Sequence, residues 1–105
     1  MENQDHATIG EGMTQEREAK ILEGAIEKWG ATAQVVVAIE ELSELQKELC
    51  KFLRYGSCDA LTMHDEMADV SIMLNQLSLI FGDPTDREIA KLERLEGRVF
   101  RNERP

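Results

Sequence analysis

The chain predicts an all-α fold: a four-helix bundle-like domain with short connections. Three observations point to it. Apolar residues recur three and four apart through most of the 105 residues, which is the period of a helix face. No stretch alternates apolar and polar with period two, and no hairpin dipeptide occurs. Helix-stopping residues punctuate the periodic runs at Gly30, Gly56 and Gly82-Asp83-Pro84.

Residues 1–13 are polar, contain Gly10 and Gly12, and hold no period. They read as a flexible lead-in to one domain over residues 14–105. Thr14 can cap a first helix that runs to Trp29, with Ala19, Leu22, Ala25, Ile26 and Trp29 on one side. Gly30 suits a left-handed stop. A second helix spans Thr32 to Tyr55, and its apolar seam is Val35, Ala38, Leu42, Leu45, Leu49 and Phe52. Thr62-Met63-His64-Asp65 has the spacing of a capping box and opens a third helix to Phe81. Its seam is Met63, Met67, Val70, Leu74, Leu77 and Phe81. Thr85-Asp86-Arg87-Glu88 offers a second box, opening a fourth helix to Arg101 with Ile89, Leu92, Leu95 and Val99 inward.

The net charge of -9 argues against a nucleic-acid or anionic-membrane partner held by bulk electrostatics. It leaves room for a small phosphate ligand held through a cation. The N-terminus has neither the basic nor the apolar region of a signal peptide, and no apolar run approaches the ~20 residues of a membrane span. Cys50 and Cys58 are too few for a disulfide framework. The expectation is a cytoplasmic protein with reduced thiols.

Two acidic patterns carry the chemistry. Glu40-Glu41-Leu42-Ser43-Glu44 is followed, after 21 residues, by Glu66-Met67-Ala68-Asp69. Residues three apart share a helix face, so Glu41 pairs with Glu44 and Glu66 pairs with Asp69, each beside its helix's apolar stripe. Packing the two helices together gathers four carboxylates, and two such charges at ~6 Å repel by roughly 3 kcal/mol at an effective dielectric of about 20. A compensating cation is needed, and oxygen-only ligands favour Mg²⁺ or Mn²⁺. The alternative is a solvated acidic face, with Lys47 and Lys51 pairing Glu44 and Glu48. The second pair weighs against it, because no charged residue occurs from Val70 to Phe81, and a helix so apolar borders a packed interior.

These residues resemble the EExxE…ExxD signature of the MazG-like nucleoside triphosphate pyrophosphohydrolases. The likeness runs from about Trp29 to Arg98, and takes in Gln34, Asp69-Val70 and Lys91-Leu92-Glu93-Arg94-Leu95. It implies a Mg²⁺-dependent hydrolysis of a nucleoside triphosphate between the α- and β-phosphates, giving a monophosphate and pyrophosphate. In that reading Glu41, Glu44, Glu66 and Asp69 hold the metal, and Glu40 or a ligand carboxylate such as Glu41 handles the water. The family's oligomers imply a homodimer or homotetramer, and its biology suggests removal of unwanted nucleotides. Lys91, Arg94, Arg98 and Arg101 form one basic stripe on the fourth helix. They read either as cations toward a helix C-terminus or, for the first three, as the grip on the departing phosphates. Trp29 reads as core or as a platform for the base, with Gln34 a hydrogen-bonding partner to that base. His64 is a turn residue without companion histidines. Two rivals remain: a non-catalytic helical adaptor, and a phosphoribosyl-ATP pyrophosphohydrolase, which Met73 and Leu74 disfavour because that branch tends to carry Tyr-His there.

Overall fold

A computed structural model describes residues 8–10 and 12–101. It contains four helices: α1 (Gln15–Trp29), α2 (Ala31–Tyr55), α3 (Ala60–Phe81) and α4 (Thr85–Phe100). Most of the expected lead-in, residues 1–7 and 11, lies outside the described residues. Its remainder forms a feature that period-two reading missed. β1 (Thr8–Gly10) pairs antiparallel with β2 (Met13–Thr14). Two strands of three and two residues are too short for alternation to register.

The helix ends follow local chemistry. Thr14 Oγ1 accepts the Arg17 N–H at 3.0 Å, which satisfies one of the free donors of α1. Gly56 closes α2 in the left-handed region at φ 76, ψ 3, its N–H donating to the Phe52 carbonyl at 2.8 Å. Gly30 differs from expectation: at φ 92, ψ 152 it is extended with positive φ, a region open essentially to glycine alone. That conformation lets α2 restart one residue after α1 ends.

Neither expected capping box forms. α3 starts at Ala60 because Asp59 accepts both the Thr62 N–H (3.2 Å) and the Thr62 hydroxyl (2.6 Å). The i, i+3 partnership is real but lies three residues earlier, so Thr62 is capped rather than capping. In α4, Asp83 takes the Thr85 N–H and hydroxyl in the same manner, at 3.0 and 2.6 Å. Thr85 is therefore a partner of the preceding turn.

α2 and α3 form the principal packed pair, with α1 crossing both and α4 only sparsely in contact. Their register is antiparallel. Gln34 meets Gln76, and moving seven residues along α2 to Glu41 moves seven residues back along α3 to Asp69. Seven residues are two turns, so Gln34 and Glu41 share one face of α2, and Asp69 and Gln76 share one face of α3. The least exposed positions of α2 are accordingly Ala33, Gln34, Val35, Val37, Ala38, Glu41, Leu45 and Glu48. On α3 the buried residues are Val70, Met73 and Gln76.

This corrects both expected seams. Val35, Ala38 and Leu45 do lie inward, but Leu42, Leu49 and Phe52 stay exposed, as do Met67, Leu74 and Phe81 on α3. Acids and amides hold the seam positions that leucines were expected to take. The displaced apolar side chains face outward, and so do Ile89, Leu92, Leu95 and Val99 of α4, all expected inward.

At the junction of three helices sits a polar knot. Gln76, 1% exposed, donates from Nε2 to the Leu22 carbonyl of α1 and to Gln34 Oε1 of α2, both at 3.0 Å. Both acceptors are oxygens, so the amide orientation is fixed, and Gln76 Oε1 is left without a partner.

Candidate metal centre

The α2–α3 register brings Glu41, Glu66 and Asp69 together. One carboxylate oxygen from each lies within 4.8 Å of the others. Glu41 and Glu66 are half-buried and Asp69 is exposed. Together with Val37, Ile72 and Met73, Glu41 and Asp69 line a shallow cleft of about 240 Å³. The trio sits at one margin of the packed seam, two turns from the Gln34–Gln76 contact.

The electrostatics are those of like charges held close. The Glu41 carboxyl is held above its ordinary range, chiefly by hydrogen bonding with Asp69. Partial burial and the charges of Asp69, Glu66 and Glu44 add to this. The Glu66 carboxyl is also raised, first by desolvation and then by Glu44, Asp69, Glu48 and Asp65. Among the described residues no lysine or arginine forms an ion pair with Glu41, Glu66 or Asp69. The nearby Glu48 is already paired with Lys51 at 3.0 Å. A set of oxygen donors from two helices, one of them sharing a hydrogen bond with its neighbour, suits a hard divalent cation.

The other expected site residues are placed differently. Glu44 is exposed and outside the trio, and acts on it through its charge. Glu40 is exposed beyond it, its backbone carbonyl accepting the Ser43 hydroxyl at 3.0 Å. Trp29 is 60% exposed, with the Lys28 ammonium 5.1 Å from its ring centroid. The core reading of Trp29 therefore fails. α1 ends there, and the chain turns at Gly30 before any element covers the ring. Gln34 is buried, and its carbonyl oxygen is engaged by Gln76. Lys91 and Arg94 are exposed and Arg98 is half-buried, all on the loosely packed α4. No ion pair joins these three to the acidic trio among the described residues. His64 is exposed within α3, and both cysteines are free and exposed.

One functional-looking contact escaped sequence reading. Asn75 Nδ2 donates to Glu18 Oε1 at 2.7 Å across 57 residues. No spacing signal links a first-helix glutamate to a third-helix asparagine.

No helix among the described residues is long and apolar enough to cross a membrane. Comparison of the chain with family models, with curated proteins and with solved structures returns no match in any of the three.

Proposed function

We propose that this chain is a divalent-cation-dependent nucleoside triphosphate pyrophosphohydrolase of the MazG-like kind, working as a homo-oligomer. The observation that carries the reading is the convergence of Glu41, Glu66 and Asp69, oxygens within 4.8 Å, with no cationic side chain of the described residues to offset them. Such a gathering costs stability in the metal-free protein, and a charge-compensating ligand gives it a purpose.

Glu41, Glu66 and Asp69 would hold Mg²⁺ or Mn²⁺, with Glu44 adding negative charge at the margin. The cation would supply charge compensation for a triphosphate and would lower the pKa of an attacking water. The carboxylates of this chain fix its position and accept the proton that the water loses, with Glu40 available on the adjoining exposed face. Water adds to one phosphorus of the α–β anhydride, and the bridging P–O bond breaks. The bridging oxygen leaves with its electron pair on the other product, so a monophosphate and pyrophosphate result. Such displacements rest on positioning and charge rather than on a protein nucleophile. Lys91, Arg94 and Arg98 are the proposed grip on the released phosphates.

The homo-oligomer is supported by apolar side chains left exposed on three helices: Leu42, Leu49 and Phe52 on α2, Leu74 and Phe81 on α3, and Ile89, Leu92, Leu95 and Val99 on α4.

The direct test is pyrophosphate release from a panel of ribo- and deoxyribonucleoside triphosphates with Mg²⁺. Release from at least one, lost on chelation and reduced at least 100-fold in Glu66→Gln, is the expected result. Absence of release from every triphosphate, or full activity in Glu66→Gln, overturns the assignment. The same exposed apolar faces favour a helical adaptor as the second reading, which predicts a melting curve indifferent to divalent cations.

A further inference from the structure

Beside the α2–α3 seam runs a second pair of stripes. Leu42 and Leu49 follow the seam residues Ala38 and Leu45 by four, and Leu74 and Phe81 follow Val70 and Leu77 by four. Four residues carry a side chain about 40° past its starting direction, so each stripe is displaced from its seam in the same rotational sense. Seen from one end, antiparallel helices rotate in opposite senses, which brings both stripes to one side of the pair. All four residues are 45–74% exposed. α1 does not cover them: it packs on Gln76, and Leu74, two residues earlier, stands about 160° round α3.

This face carries no charge. Its neighbouring side chains are Ser43, Gln46, Cys50, Ser71 and Ser78, while Glu41, Glu66 and Asp69 gather at another margin. Copies of a chain with net charge -9 repel wherever their acids meet, so a neutral apolar face is where they can approach. α4 is the element that fits it. Its stripe of Ile89, Leu92, Leu95 and Val99 is 48–62% exposed, and the elbow before it has a defined form. Gly82, at φ 108 and ψ 158, donates its N–H to the Ser78 carbonyl, and Asp83 accepts both donors of Thr85. α4 is thereby held off its own α3, above an open gap of about 450 Å³ lined by Leu74, Leu77, Phe81 and Glu88. The other flank of α4 bears Arg87, Lys91, Arg94 and Arg98, none in an ion pair among the described residues. From residue 12 to residue 84 the chain has thirteen acids against six bases. A helix with one apolar and one basic flank matches a neutral apolar face on an acidic body, and a second copy offers both.

We infer that two copies exchange α4: the Ile89–Val99 stripe of each lies on the face of the other that contains Leu42 and Leu74. This deepens the homo-oligomer proposed above and rests on that half of the reading, not on hydrolysis. The test places single cysteines in a Cys50→Ser, Cys58→Ser background and oxidises mixtures of two variants with copper phenanthroline. Mixing Leu92→Cys with Leu42→Cys should give a disulfide between positions 42 and 92 of different copies, read by mass spectrometry. Its yield should exceed by about fivefold that of Leu92→Cys with Lys47→Cys, since Lys47 stands about 140° round α2 from Leu42. Sedimentation equilibrium gives a second readout. Leu42→Ser and Leu92→Ser should each raise the dissociation constant about tenfold or more. The double variant should raise it by less than the product, because both changes remove one contact. Circular dichroism checks helical content, and should Leu42→Ser not fold, Leu74→Ser reads the same face. An oligomer without the 42–92 link, or with effects that simply multiply, overturns the exchange and leaves self-association standing. A wild type of one copy overturns both, including the case in which α4 instead binds phosphatidylserine vesicles.

Discussion

Self-association is the prediction whose size follows most directly from the structure. On α4, Ile89, Leu92, Leu95 and Val99 are between 48% and 62% exposed, an apolar stripe that a second copy can cover. Leu92 lies on the outward stripe of α4 and is 62% exposed. Burying that much leucine contributes roughly 1–2 kcal/mol per copy, or about 2–4 kcal/mol for two copies. Leu92→Asp should therefore weaken dimer dissociation constants by roughly 30- to 900-fold, before any cost of a buried charge. Sedimentation equilibrium across a micromolar range reads this directly. Wild type should sediment at twice or four times its 11.9 kDa, and Leu92→Asp should move toward one copy. A wild-type species of one copy with full helical content would refute self-association. A Leu92→Asp protein as tightly associated as wild type would place the interface away from α4.

Three further outcomes follow. At a Mn²⁺ or Mg²⁺ concentration 100-fold above the dissociation constant, stability should rise by about 2.7 kcal/mol, or roughly 11–22 °C in melting temperature for a domain of this size. Glu41→Gln or Asp69→Asn should remove that gain, and a cation-independent melting curve would refute the metal centre. The metal-free protein should also become more stable on acidification. Glu41 and Glu66 are raised in the folded state above the ordinary 4.5, so the folded chain binds more protons than the unfolded one between the two values. Stability then rises as pH falls through the raised values toward 4.5, and a melting series in Glu41→Gln should show a shallower rise. Finally, Gln76→Leu removes the donor of Gln34 Oε1 and the second donor of the Leu22 carbonyl, and should cost about 1–3 kcal/mol. Adding Gln34→Leu should cost less than the sum of the single effects, which a denaturant titration of the three variants measures.

The candidate site was legible to the extent that it depends on helical spacing. Glu66 and Asp69 share a face because they are three apart on one helix, and Glu41 falls on the matching face of its own. The pairing of Glu41 rather than Glu44 with Asp69 needed the α2–α3 register. Gln34 illustrates the opposite case. A glutamine on an amphipathic helix reads as an accessible hydrogen-bonding group, yet Gln76, 42 residues away in sequence, draws its carbonyl into the core. The Glu18–Asn75 contact was invisible for the same reason, since two helices must cross before those side chains meet.

What the residues settled alone is the division into helices. Thr14, Gly30, Gly56 and the Gly82-Asp83-Pro84 break act through their own backbone geometry and nearest neighbours, so no distant contact is needed to locate them. What the tertiary structure decided is which face of each helix turns inward. On α2 two stripes overlap, one through Leu42 and Leu49 and the other through Gln34, Glu41 and Glu48, and both contain Ala38 and Leu45. Spacing and hydropathy favour the first. Antiparallel packing against α3 selects the second, because 2%-exposed Ala38 permits the close approach of the helices and the Gln34–Gln76 bond locks their register. The acids are thereby carried to the seam's edge, and the leucines are left outside it.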